Sequence, residues 1–155
     1  MSAIRSFLLA IELATDKRDK ASQSLMRAQR AHLFAQDQMQ QLETYAHETE
    51  SRWTAAAQAS TTPELMRHHY QFMDRLHHAI GLQKVVTADT SERVEAEKRL
   101  VLEAEFRLVS LKQVLKKKQA GLALIQGRRE QKQMDEFAAS RSKPPPLGHG
   151  IGDQS

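Results

Sequence analysis

The stretch IRSFLLAIELATDKRDKASQSLMRAQRAHLFAQDQMQQLETYAHETESRWTAA (residues 4–56) contains neither glycine nor proline, and its apolar residues recur at alternating steps of three and four. Starting at Ile4, the steps fall on Phe7, Ile11, Ala14, Arg18, Ala21, Leu25, Ala28, His32, Ala35, Met39, Leu42, Ala46, Thr49, Trp53 and Ala56. Thirteen of these sixteen positions are apolar, the exceptions being Arg18, His32 and Thr49. A 3.5-residue period sustained over seven heptads specifies a left-handed coiled coil rather than a globular surface helix. The many alanines call for close approach of a partner helix.

The partner follows in the same chain. Ala59-Ser60-Thr61-Thr62-Pro63-Glu64 is a short polar link. Thr62 before Pro63 reads as an N-cap with proline at the first helical position, while Thr61 with Glu64 would instead form a capping box. Either starts a second helix and makes the two antiparallel neighbours. One 3.5-residue register then connects Met66, His69, Met73, Leu76, Ile80, Gln83, Thr87, Thr90, Val94, Glu97, Val101, Ala104, Leu108, Leu111, Leu115, Lys118, Leu122 and Ile125. Gln83, Thr87 and Thr90 weaken the seam, and Gly81 costs about 1 kcal/mol relative to alanine, so softer or shifted packing is expected around 81–93. Gly121 and Gly127 thin the helix further along.

The expected fold is all-α: a long antiparallel two-helix coiled-coil hairpin over 1–139, with helices at about 4–58 and 63–139 and a turn at 59–62. Residues 140–155, with Pro144-Pro145-Pro146 and a Gly-rich end, read as a disordered tail. At 1.5 Å per residue the helices span roughly 83 and 115 Å. Residue i then lies opposite about 121 − i, so Ile4 meets the neighbourhood of Lys117 and residues 118–139 overhang without a partner. The overhang carries Leu122, Leu124, Ile125, Met134 and Phe137. An apolar stripe on an unpaired helix marks a binding element.

Composition narrows the function. The 155 residues are 40% apolar but only 5% aromatic, 27% charged and free of cysteine, with six glycines and four prolines. This disfavours a β-sandwich and removes disulfides, thiolate metal sites and a cysteine nucleophile. A thin helical rod has little concave interior for catalysis, so no enzyme and no cofactor is expected. The longest uncharged apolar run, Phe7–Ile11, is far short of a membrane span, and nothing near Arg5 reads as a signal peptide; the expected location is cytoplasmic. His68-His69 and His77-His78 have the wrong spacing for a helical metal clamp, even with His47 opposite, and read as solvated or interface histidines.

Charge is uneven. Residues 1–59 balance at seven basic and seven acidic, whereas 112–143 hold nine basic and three acidic. KQVLKKKQ (112–119) and GRREQKQ (127–133) are positioned to contact phosphates. Stacking aromatics are missing, however, and Glu130, Asp135 and Glu136 interrupt the charge. Near the turn, Phe72, Leu76, Ala79 and Gln83 share one face at i, i+4, i+7 and i+11. Leu76 is also a seam position, and Phe72 is a candidate docking anchor.

Three segments, LATDKRDKASQSL (13–25), YQFMDRLHHAIGLQ (70–83) and RREQKQMDEFA (128–138), resemble the FliJ family of the bacterial flagellar export apparatus. The most specific pattern is Gln131, Lys132, Asp135 and Glu136. The resemblance implies an antiparallel coiled coil similar to the central stalk subunit of rotary ATPases. It implies insertion of the end bearing both termini into the hexameric flagellar export ATPase, contact with the cytoplasmic domain of the export gate, and escort of export chaperones during flagellum assembly. It further implies peripheral association with the cytoplasmic face of the inner membrane through those partners. Family gate-facing positions map onto Phe72, Leu76 and Ala79, and Gln83 stands where the family has a histidine. ATPase-facing positions map onto Arg5, Leu8, Arg128, Gln131, Lys132, Asp135 and Glu136. The alternatives are the equivalent stalk of a virulence-type secretion system, or a basic coiled-coil scaffold or nucleic-acid-binding rod.

Overall fold

The computed structural model describes residues 2–142. It contains α1 (Ser2–Ala59) and α2 (Pro63–Ser142), packed against each other, and no strand among the described residues. The chain gathers into two compact units, one of Ile11–Val109 and one whose described part is residues 2–10 and 110–142.

In the Ile11–Val109 unit the turn is tight. The Ser60 amide donates to the Ala56 carbonyl, and the Met66 amide donates to the Thr62 carbonyl. The Leu65 amide donates to Thr62 Oγ1 at 3.3 Å. Thr62 is therefore the N-cap and Pro63 the first helical residue, where its missing N–H leaves no bond unmade. The Thr61 hydroxyl points to the Thr62 carbonyl instead, and the capping-box alternative is not adopted.

The seam follows the 3.5-residue register without a slip. Ala14, Ala28, Ala35 and Ala46 are the buried positions of α1. In this unit α2 answers with larger side chains at Met73, Leu76, Ile80, Val94 and Leu108, and with Ala104. Small residues on one helix let the bulk of the other sit over them, as close helix approach requires. Ala46, Met73, Leu76 and Ile80 form one cluster, with Met39, Leu42 and Phe72 packed on its edge. Two helices cannot fully enclose a side chain, and the best-covered residues, Ala35 and Leu108, keep 3% of their surface. Beside the turn the seam opens, leaving Ala56 and Met66 exposed.

The expected soft zone is a hydrogen-bonded polar layer. Gln83 Nε2 donates to the Ala35 carbonyl at 3.0 Å, and the Thr87 hydroxyl donates to the Gln83 carbonyl at 2.9 Å. Thr90 Oγ1 donates to the Thr87 carbonyl and meets His32 Nδ1, both at 2.9 Å. Each half-buried polar side chain thus has a partner, which removes the penalty that would otherwise shift the packing.

In the other unit Ile4, Phe7 and Ala10 of α1 are half-buried, and Leu111 and Leu115 of α2 are half-buried and buried. The Lys118 ammonium lies 4.8 Å from the centroid of the Phe7 ring, a cation–π contact that ends the paired segment. From Lys116 through Ser142 every residue of α2 is exposed. The helix runs three residues past Ala139, so residues 140–142, expected to begin the disordered tail, are helical. Residues 143–155 of that tail lie outside the described residues.

Candidate functional site

Two surfaces merit description, one on each unit. Among the described residues no three His, Asp or Glu side chains converge on a metal position, and no helix is long and apolar enough to cross a membrane.

On the Ile11–Val109 unit, the four positions Phe72, Leu76, Ala79 and Gln83 do share a helix face, but they divide in role. Leu76 is 8% exposed within the core cluster. The Gln83 amide is occupied by the Ala35 carbonyl. Neither offers much to a partner, because a residue at the seam faces the other helix. Phe72 and Ala79 sit half-buried on the flank. The Phe72 ring meets Tyr45 edge-on, with centroids 6.1 Å apart and planes at 81°, a favourable aromatic arrangement. Tyr45 and Val86 are exposed on the surface. Phe72, Ala79 and Val86 are spaced by sevens and so occupy one heptad position.

Below this face, His69 is buried. Its ring stacks on Trp53 at 4.3 Å and 9°, and its Nε2 lies 3.3 Å from Glu50 Oε2. His47, His68, His77 and His78 are exposed. His69 is the one member of the two pairs on the seam register, which is the signal that separates it from its neighbours.

On the other unit, Arg5 and Leu8 are exposed, as are Arg128, Gln131, Lys132, Asp135 and Glu136. Gln131 Nε2 donates to Asp135 Oδ1 at 3.1 Å, one helical turn on. At about 100° per residue, Arg128, Gln131, Lys132, Asp135 and Glu136 fall within an arc of roughly 140°. Met134 and Phe137 occupy the opposite side, exposed to 68% and 63%, and the Arg141 guanidinium lies 5.2 Å from the Phe137 ring. Leu122, Leu124 and Ile125 add further uncovered apolar surface. Leu124 and Ile125 fall within the same arc as the polar residues, so the bare helix carries exposed apolar side chains on every side.

The family model of the flagellar FliJ protein matches residues 6–143. No curated protein and no solved structure matches the chain.

Proposed function

Because this chain belongs to the FliJ family of flagellar proteins, we propose that it is the non-catalytic stalk of the flagellar export apparatus, inserting α2 into the export ATPase hexamer and stimulating hydrolysis. The carrying observation is the helix of residues 116–142, every residue of which is exposed. Leaving Leu122, Ile125, Met134 and Phe137 in water is unfavourable at about 25 cal/mol per Å² of apolar surface, and a partner that covers them recovers it. These apolar residues are distributed around the helix rather than along one stripe, so a partner that covers them all surrounds it, as a ring of subunits does. Such a ring supplies the chemistry, and the stalk biases its subunits among conformations.

In the same reading Phe72, with Ala79 and Val86 on its flank, contacts the cytoplasmic domain of the export gate. The chain also escorts export chaperones and works at the cytoplasmic face of the membrane through these partners. Leu76 and Gln83 contribute by holding the hairpin that presents Phe72.

The test is the hydrolysis rate of the cognate export ATPase with and without the full chain at matched salt. Stimulation is expected, and Gln131→Ala with Asp135→Ala should remove most of it while helicity is retained. Stimulation that survives both changes would move the working surface elsewhere. Absence of stimulation and of co-migration would return the chain to a scaffold role.

A further inference from the structure

Residues 120–137 of α2 carry a second 3.5-residue register, rotated away from the one that closes the hairpin. Ala120, Ala123, Gly127, Glu130, Met134 and Phe137 follow alternating steps of three and four. At about 100° per residue these six fall within an arc of about 100°. All are exposed, Met134 to 68% and Phe137 to 63%. A methyl group added at Gly127 would meet nothing within 4 Å, so the small-residue end of this face is open. The hairpin register itself continues as Leu122, Ile125, Arg129, Lys132 and Glu136, and is too charged beyond Ile125 to seat another helix.

Size is graded along the second register, with alanine and glycine at one end and methionine and phenylalanine at the other. An antiparallel copy, related by a twofold axis, brings Phe137 over Ala120 of the second copy, Met134 over its Ala123 and Glu130 over its Gly127, each contact occurring twice. Antiparallel coils alternate their layers in this way. The hairpin uses the same device, setting buried alanines of α1 against larger side chains of α2. Charge agrees with size. Arg128, Arg129, Lys132, Asp135 and Glu136 lie about 60° or more outside the arc, and its edges are the uncharged Gln126, Gln133, Leu124 and Gln131. Glu130 alone brings a charge to the face. Further out, Arg141 would meet Lys116 of the second copy, which confines the overlap to 120–137. A twofold contact is closed, so assembly stops at two.

We propose that this face is the interface of an antiparallel homodimer formed through residues 120–137 of two copies. Six residues per copy are fewer than a standard interface contributes, so the dimer is reversible. It covers Met134 and Phe137, and a chain so covered cannot offer them to the ATPase, which makes the dimer a resting form that excludes insertion. That consequence rests on the stalk reading; the dimer itself does not.

The experiment is sedimentation velocity of the full chain alone over a concentration series. A monomer–dimer equilibrium is expected. It should tighten with added salt, because the charges that meet, Glu130 with Glu130 and Arg141 with Lys116, repel. E130A should tighten it about fivefold, the relief of one like-charge pair in water. A120Q/A123Q, which sets uncharged bulk beneath Phe137 and Met134, should weaken it roughly tenfold; glutamine is a good helix former, and circular dichroism verifies the fold. L102Q/F106Q, which removes exposed apolar surface from the Ile11–Val109 unit, should dimerise as wild type. The chain has no cysteine, so G127C, close to the twofold axis, should oxidise to a covalent dimer. A120C should not, since antiparallel register holds the two sulfurs about 25 Å apart along the helix. Wild type that stays monomeric at every concentration overturns the dimer and leaves the stalk reading standing. An equal loss in L102Q/F106Q overturns it by showing general stickiness, and cross-linking through A120C overturns the antiparallel register. A chain that dimerises as described yet never stimulates the ATPase overturns the stalk reading and leaves the dimer.

Discussion

A single side chain on a two-helix coil has to choose between the other helix and an outside partner, and Leu76 and Phe72 show that choice four residues apart. Leu76 lies on the seam register and is buried in the cluster with Ala46, Met73 and Ile80. Phe72 lies one position off the register, half-buried, with its ring edge against Tyr45. Leu76→Ala should lower the free energy of unfolding by roughly 2–3 kcal/mol, the lower range for a buried leucine because two helices leave part of it wet. Phe72→Ala should cost less than half of that in the same urea titration, while removing most of any gate affinity. Equal costs would make Phe72 a core residue and withdraw it as an anchor. The resemblance assigned both residues, with Gln83, to a gate-facing surface. The heptad register had already placed Leu76 and Gln83 inward, and burial follows the register because coil packing dictates it.

At the scale of the helices, the sequence was legible wherever one physical rule acted alone. Along α1 every 3.5-register position from Ile4 to Trp53 is buried or half-buried, and along α2 the same holds from His69 to Leu115. Where two rules competed, the letters were ambiguous. Thr61 and Thr62 each satisfy a capping pattern, and the hydrogen bonds from Leu65 to Thr62 and from the Thr61 hydroxyl to the Thr62 carbonyl distinguish them. The polar run Gln83, Thr87 and Thr90 suggested slack packing because each residue read singly lacks a partner. The carbonyl of Ala35 and the ring of His32, which satisfy it, come from residues about fifty positions away. Gly81 is a weak point of the paired part of α2, and a methyl group added there would meet nothing within 4 Å. Gly81→Ala should therefore raise unfolding free energy by about 1 kcal/mol through backbone propensity alone, read as a higher urea midpoint at unchanged slope. A lower midpoint would mean that the helix needs its flexibility there.

Across the whole molecule, folding and recognition draw on different residues. The 3.5-register residues of α1 and α2 hold the hairpin, whereas from Lys116 to Ser142 every residue is exposed, and in this stretch Lys118 packs on Phe7. Length arithmetic alone predicts this division, because helices of about 77 and 55 residues cannot pair along their whole lengths. What the arithmetic could not show is which sides of the unpaired helix matter, since that depends on a partner's shape. A consequence follows for stability. Ending the chain after Gln119 removes Leu122, Ile125, Met134 and Phe137, none of which contributes buried area, and keeps Leu115 and the Lys118–Phe7 contact. The truncated chain should unfold at the same urea midpoint as the full chain, with a total helical signal lowered by the missing segment. It should also fail to stimulate the export ATPase. A fall in midpoint of the hairpin would show that the segment folds back on it, and would undercut the reading of 116–142 as an arm kept free for another protein. Retained stimulation would transfer the activating role to the paired segment.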